Sequence, residues 1–185
     1  MAGWKLEQQA RAIARGAVFA YPTDTIWGLG CHPMIESAVD RLQQIKQRSY
    51  HKGLILLSAK TEYLSAYLST ETLAQLNQRI SSANPHPTTW ICPPSRRCPG
   101  YLLGRFNSIA VRISNHDPGY RLSHYLKSPL ISTSANISGH PHARNSLQIH
   151  RHFQSRLDFI IDGFNSGSQQ PSQIRELLDG KIIRH

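Results

Sequence analysis

Residues 53–58 read GLILLS, a continuous apolar run closed by a serine. A strand with one face in water alternates apolar and polar positions, whereas an unbroken run of this length reads as a strand buried on both faces. Upstream, Ala38, Leu42 and Ile45 recur at helical spacing, and downstream the segments near 62–68 and 71–80 are helix-like. A buried strand between helices predicts an α/β fold. Moving outward, Leu6, Ala10, Ile13 and Ala14 mark a first helix stopped by Gly16, and AVFAYP at 17–22 reads as a strand ended by Pro22. TTWIC at 88–92, SIAVRIS at 108–114 and PLIST at 129–133 predict further strands, with a helix at 118–126 between the last two. A helix near 146–153, a strand at 158–162 and a strand pair near 173–184 follow. The Pro-rich stretch from Ser81 to Gly104 carries too many apolar residues for a linker, so residues 1–185 are expected to form a single domain. Its predicted architecture is a twisted open sheet with helices packed on it and ligands gathered beyond the carboxyl ends of strands.

The opening MAGWKLEQQA lacks the apolar stretch of a signal peptide, and no run approaches the roughly 20 apolar residues of a membrane span. A cytoplasmic protein without a membrane partner is expected. Cys31, Cys92 and Cys98 form no Cys-x-x-Cys pair, so neither a disulfide framework nor a zinc site is suggested. The net charge is +10, from 21 Lys and Arg against 11 Asp and Glu. Between Thr72 and Leu157 the only acid is Asp117, facing ten basic residues that are mostly arginine. Such a field attracts the phosphates of a nucleotide or of RNA, although a basic surface also serves solubility alone.

PLISTSANISG at 129–139 runs an apolar strand into small polar residues, and Ser132, Thr133, Ser134 and Asn136 cannot build a core. Hydroxyls and an amide at a buried strand end suit a polar, anionic ligand or a capped turn. Lys46 and Arg48, in KQR at 46–48, sit at the end of the second helix. They either complement its dipole or clamp a phosphate, and a spacing of two turns them to one side only where the helix has ended. There is no G-x-x-x-x-G-K-[ST], and GLG at 28–30 does not continue into G-x-G-x-x-G, so side-chain cations must hold any nucleotide. Acids are too scarce for a carboxylate metal cage, and His140 with His142 or His150 with His152 lack partners at ligand spacing. No metal site is expected; Mg2+ would arrive on the ligand's phosphates, with Asp24 the only motif carboxylate in reach. No G-x-S-x-G elbow occurs.

YPTDTIWGLGC at 21–31, KQR at 46–48 with KGLILL at 52–57, PHPTTWI at 85–91, GRFNSIAVR at 104–112, STSANISG at 132–139 and NSGSQQPSQIRELLDGKIIR at 165–184 together resemble the threonylcarbamoyl-AMP synthases, the TsaC/YrdC-like family in its short bacterial form. The resemblance runs from about residue 10 to the C-terminus. It implies a YrdC-like fold with a large basic cavity, and synthesis of threonylcarbamoyl-AMP and pyrophosphate from L-threonine, bicarbonate or CO2, and ATP. That activity would be a nucleotidyl transfer that feeds threonylcarbamoyladenosine modification of tRNA next to the anticodon. ATP enters as a substrate and no tightly bound cofactor is implied; the partners are the downstream tRNA threonylcarbamoyl-transfer proteins, and direct tRNA or RNA contact stays open. The family's Lys-x-Arg and Ser-x-Asn tetrad falls on Lys46, Arg48, Ser134 and Asn136, implied to be catalytic and ATP-binding. Ser132, Arg144 and Arg184 fall near its ATP contacts, and Thr23, Arg112 and Ser172 where it holds threonine. Departures are local: Ser49 stands where Pro is usual, His86 where Gly is usual, and Trp27 where most members have Tyr or Phe. The alternative from another class is a basic RNA-binding module without catalysis, which has no need of a buried STSAN strand end or a PTDT turn.

Overall fold

The computed structural model describes residues 3–81, 86–153, 155–163 and 171–184. Helix α1 (Gly3–Ala14) leads into β1 (Phe19–Tyr21) and β2 (Gly28–Cys31), followed by α2 (Glu36–Lys46) and β3 (Ile55–Ser58). Next come α3 (Thr70–Ser81), β4 (Thr88–Cys92), β5 (Ile109–Ile113), α4 (Gly119–Leu126) and β6 (Leu130–Ser134). Helix α5 (Ser146–Phe153), β7 (Phe159–Ile160), β8 (Gln173–Glu176) and β9 (Ile182–Arg184) complete the order. The strands form one open mixed sheet in the order β7-β1-β2-β6-β3-β5-β4-β8-β9, so the α/β expectation holds. Residue 85 of the PHP motif and residues 165–170 of the C-terminal motif lie outside the described residues.

Two expectations are corrected. The segment near 62–68 is only a short 3-10 turn, Thr61–Leu64, with further turn behind it. GLGC, read above only as a failed dinucleotide fingerprint, is the strand β2. Two glycines hide it, because glycine has neither the bulk nor the β preference that marks a strand in sequence. Both glycines are needed where they stand. A Cβ on Gly30 would lie 2.8 Å from the carbonyl oxygen of Ile131 on β6, and one on Gly28 would press on the Tyr21 ring at 3.2 Å.

Strand alternation assigns the two faces of the sheet different coverings. One face sends Leu29, Leu56, Trp90, Val111 and Ile131 into the main core, against Val39 and Leu42 of α2 and Leu76 of α3. On the other face Phe19, Tyr21 and Leu130 pack under Leu6, Ala10 and Ile13 of α1 and Leu122 of α4. Full burial of such side chains contributes about 1.5–3 kcal/mol each, enough to fix both helices over the β1 end of that face. Farther along the same face no helix among the described residues packs over Ala110, Ile91 and Ile174, which line a cavity instead. The expected position of the site, beyond strand carboxyl ends, is therefore replaced by a position on the sheet face. The reason is topological: β3–β5, β4–β8 and β1–β7 are parallel while their neighbours are antiparallel, so the strands share no carboxyl edge.

Gly30→Ala is expected to lower unfolding stability by about 1–3 kcal/mol, the usual penalty for overpacking, because β2 and β6 must move apart. Urea unfolding followed by circular dichroism would measure it; an unchanged midpoint would show that the close strand contact is not a constraint.

Candidate functional site

The cavity encloses about 560 Å³, within the range of small-molecule sites. Its floor repeats with period two along β4, β5 and β8. Ser108, Ala110 and Arg112 come from β5 and its approach, Thr89 and Ile91 from β4, Ile174 and Glu176 from β8, and Ser132 and Ser134 from β6. SIAVRIS therefore splits cleanly, with Ile109 and Val111 in the core and its small and charged positions in the cavity.

Arg112, only 6% exposed, pairs through Nη2 with Asp24 Oδ1 at 2.5 Å and donates from Nη1 to Thr25 Oγ1 at 3.3 Å. Its Nε makes no hydrogen bond among the described residues. Thr23 holds the PTDT turn: its Oγ1 donates to the carbonyl of Ile26 at 2.7 Å and accepts from the backbone N–H of Thr25 at 3.1 Å. Ser172, also buried, shares a 2.8 Å hydrogen bond with Thr89. Asp24 is thus engaged by Arg112 and does not line the cavity, and the carboxylate that does is Glu176, which the sequence reading passed over.

Helix α2 stops at Lys46 because Gln47 adopts a left-handed conformation, φ 50° and ψ 43°, with its N–H turned back to Gln43 and Gln44 carbonyls. The end of the helix separates the two cations. Arg48 reaches the cavity wall and donates from Nη2 to the carbonyl of Gly53 at 2.7 Å. Lys46 runs beneath it, 2% exposed and outside the lining. Its Nζ donates to the Ser134 carbonyl, to the Asn136 carbonyl at 2.8 Å and to Asn136 Oδ1 at 3.1 Å. Ser134 Oγ donates to the same Asn136 Oδ1 at 2.6 Å, and Asn136 Nδ2 donates to the His140 carbonyl at 2.7 Å. The Lys46 backbone carbonyl also accepts the Ser138 N–H at 2.8 Å. The geometry makes Lys46 the support of the SANIS turn rather than a group facing the cavity.

Ser132 lines the cavity and accepts the Tyr21 hydroxyl proton at 2.7 Å. Arg184 lines it too, its Nη2 donating to the Ser172 carbonyl at 3.1 Å. Arg144 stands apart, exposed at the approach to α5 and absent from the lining, with its backbone N–H donating to Gln148 Oε1 at 2.7 Å. Trp27 is buried and lines the cavity, and its carbonyl accepts the Ala135 N–H at 2.7 Å. His86 is absent from the lining. Phe106, His140, His142 and Ile183 line it without having been singled out as wall residues; the first three are scattered loop positions and Ile183 lies in the three-residue strand β9, too short to carry a periodic signal.

Fold and cavity together define an open-sheeted α/β domain with a cavity on one face that Arg48, Arg112 and Arg184 line. A chain of this architecture has clear relatives. The Sua5/YciO/YrdC family model, described by the phrase "telomere recombination", matches residues 11–185, and the chain belongs to that family. It is 42% identical over 184 residues to a threonylcarbamoyl-AMP synthase of Pseudomonas fluorescens strain Pf-5, covering 100% of this chain and 98% of that protein. Its fold superposes on P. abyssi Sua5 complexed with L-threonine with a TM-score of 0.82 and 29% identity, over 97% of this chain and 52% of that one. The chain thus spans about half the length of that Sua5. E. coli YciO matches with a TM-score of 0.80 at 23% identity, over 97% of this chain and 88% of that one, a likeness of fold.

Burial, with Arg48 and Lys52 nearby, pushes the Lys46 ammonium from 10.5 down to about 7. Between these values the unfolded chain binds a proton that the folded chain does not, so stability rises with pH through that window; below pH 7 the full burden of the buried charge is present. The stability of the wild type minus that of Lys46→Met is expected to rise between pH 7 and 9, by up to about 1.4 kcal/mol per pH unit. Denaturant unfolding at several pH values would show it, and a difference independent of pH would contradict the assignment.

Proposed function

We propose that this chain is an L-threonylcarbamoyladenylate synthase, a nucleotidyltransferase acting as a single YrdC-like domain. The observation that carries the reading is one cavity on one sheet face with two sets of anion-holding groups: Arg112 with the PTDT turn, and Arg48 with the Ser134–Asn136 turn. The P. fluorescens relative's name and the threonine complex of P. abyssi Sua5 support the same activity.

In this reading Arg112 takes the threonine carboxylate, using the Nε that has no hydrogen bond among the described residues, while Thr23 and Ser172 meet the amino acid's remaining polar groups. The threonine amine combines with CO2, or with bicarbonate and loss of water, to give a carbamate. A carbamate oxygen attacks the α-phosphorus of ATP, the bond to the bridging oxygen breaks, and pyrophosphate leaves. Charge grows on the phosphate oxygens during that step, and a preorganised cation in a low-dielectric cavity stabilises it more than water could. Arg48 and Arg184 supply that charge, Ser132, Ser134 and Asn136 supply hydrogen bonds, and Lys46 fixes the last two in place. Mg2+ accompanies the triphosphate as part of the substrate, and Arg144 meets the nucleotide from outside the cavity wall. The product passes in the cytoplasm to the proteins that transfer the threonylcarbamoyl group to tRNA. An RNA-binding module would use the basic exterior and leave the buried Arg112–Asp24 pair and the Lys46 support without a task.

Pyrophosphate release is expected to need ATP, L-threonine and bicarbonate together, and Arg48→Ala is expected to raise its barrier by about 2–4 kcal/mol. Equal release without threonine would leave a plain ATPase. Serine keeps threonine's polar groups but lacks its methyl, a difference of about 1–3 kcal/mol, so it should react about 10- to 200-fold less well. Valine should be no better than serine, since it leaves the partners of the hydroxyl unpaired. A valine rate equal to that of threonine would put the amino acid elsewhere.

A further inference from the structure

GLG at 28–30 takes no part in the reaction as described above, but its two glycines clear a path for one side chain. Tyr21 on β1 pairs with Gly28 on β2, and Gly28 and Gly30 pair in turn with Ser134 and Ser132 on β6. Cross-strand partners share a face, so Tyr21, both glycines and both serines stand on the cavity side of the sheet. A ring rooted on β1 must cross β2 to meet β6, and those outer strands are about 10 Å apart. A Cβ on Gly28 or on Gly30 would lie 3.2 Å from Tyr21 Cε1, in the way of that crossing. Above the ring, a Cβ on Gly119 of α4 would lie 3.1 Å from Cε2. Three glycines therefore make the slot in which the ring lies, and its hydroxyl ends 2.7 Å from Ser132 Oγ.

The surroundings fix the direction of that hydrogen bond. Tyr21 is fully buried and absent from the cavity lining, and its hydroxyl has no other partner among the described residues. Were Ser132 the donor, the phenolic proton would be buried unpaired, which is unfavourable. Burial also raises the phenol above its ordinary pKa, so the proton stays in place. Tyr21 therefore donates and occupies one lone pair of Ser132. A serine hydroxyl has one proton and two lone pairs, so the serine proton is turned away from Tyr21. No acceptor for it occurs among the described residues, and Ser132 lines the cavity. A free hydroxyl can offer a ligand either a proton or a lone pair, whereas this one offers a proton, which suits a phosphate oxygen that can only accept. We propose, resting on the nucleotide's place in the synthase reading above, that Tyr21 is a positioning residue that locks the Ser132 hydroxyl as a hydrogen-bond donor to a phosphate oxygen of ATP without touching the nucleotide itself.

The test is a double-mutant cycle read by calorimetric binding of ATP to the wild type, Tyr21→Phe, Ser132→Ala and the double variant. Phenylalanine fills the same slot, so Tyr21→Phe should fold. It should weaken ATP by about two- to tenfold, the value of one neutral hydrogen bond. Ser132→Ala should weaken ATP at least as much, and adding Tyr21→Phe to Ser132→Ala should change nothing further, because the lock then has nothing to hold. L-threonine binding should be the same in Tyr21→Phe as in the wild type, which a general loosening of the neighbouring PTDT turn would not leave so. Where Tyr21→Phe does not fold, Gly119→Ala takes its place: it lies outside the cavity lining, keeps every hydroxyl and presses on the ring, so it should weaken ATP alone but not on top of Ser132→Ala. ATP affinity unchanged in Tyr21→Phe or in Ser132→Ala, an equal loss with and without Ser132, or a loss shared with threonine would overturn the proposal. Binding is read without turnover, so the two claims separate: a wild type that binds ATP but shows no threonine-dependent pyrophosphate release sinks the synthase reading alone, and the cycle still decides the role of Tyr21. One that binds no ATP sinks both.

Discussion

Alternation of side chains along a strand gives this sheet two faces, and the helices cover them unequally. One face is packed by α2 and α3. The other is packed by α1 and α4 over Phe19, Tyr21 and Leu130, and beyond them it becomes the cavity floor. Arg112 on that floor is held in place because the residues before and after it pack into the opposite core. Arg112 stands between Val111, which is fully buried, and Ile113, which packs on the same core. A preorganised site is the outcome, since a side chain anchored on a central strand loses little freedom when a ligand arrives.

The second dependence is the buried ammonium of Lys46. Removing a charge from water is strongly unfavourable unless hydrogen bonds replace the water, and here three oxygens of the Ser134–Asn136 turn do so. The same oxygens are thereby turned inward, leaving Asn136 and the Ser134 hydroxyl positioned at the cavity wall. The turn and the lysine hold each other, which ties the C-terminus of α2 to the end of β6 across the chain.

Much of the fold could be read from periodicity. GLILLS, SIAVRIS and TTWIC announced their strands because β-branched and aromatic residues were present, and α1, α2 and α3 announced themselves by spacing. GLGC could not, because what it contributes is the absence of side chains, which lets β2 approach β6 and Tyr21. The site was legible only in its residue types. Motif reading brought Lys46 and Arg48 forward as a pair, but the left-handed Gln47 sends one beneath the floor and the other to its edge. Asp24 looked like a carboxylate in reach of a metal-bearing phosphate, and its engagement by Arg112 depends on a pairing of residues 88 positions apart that no local pattern encodes. Glu176 was missed because its place in the cavity lining depends on its register opposite Ile91.

The account's central claim is that two sets of groups in one cavity bind different anions. It is tested most directly by titrating L-threonine calorimetrically into the wild type, Arg112→Ala and Arg48→Ala, without nucleotide. The account requires threonine binding to be lost in Arg112→Ala and retained in Arg48→Ala. Threonine binding that survives loss of Arg112, or that disappears with Arg48, would contradict it.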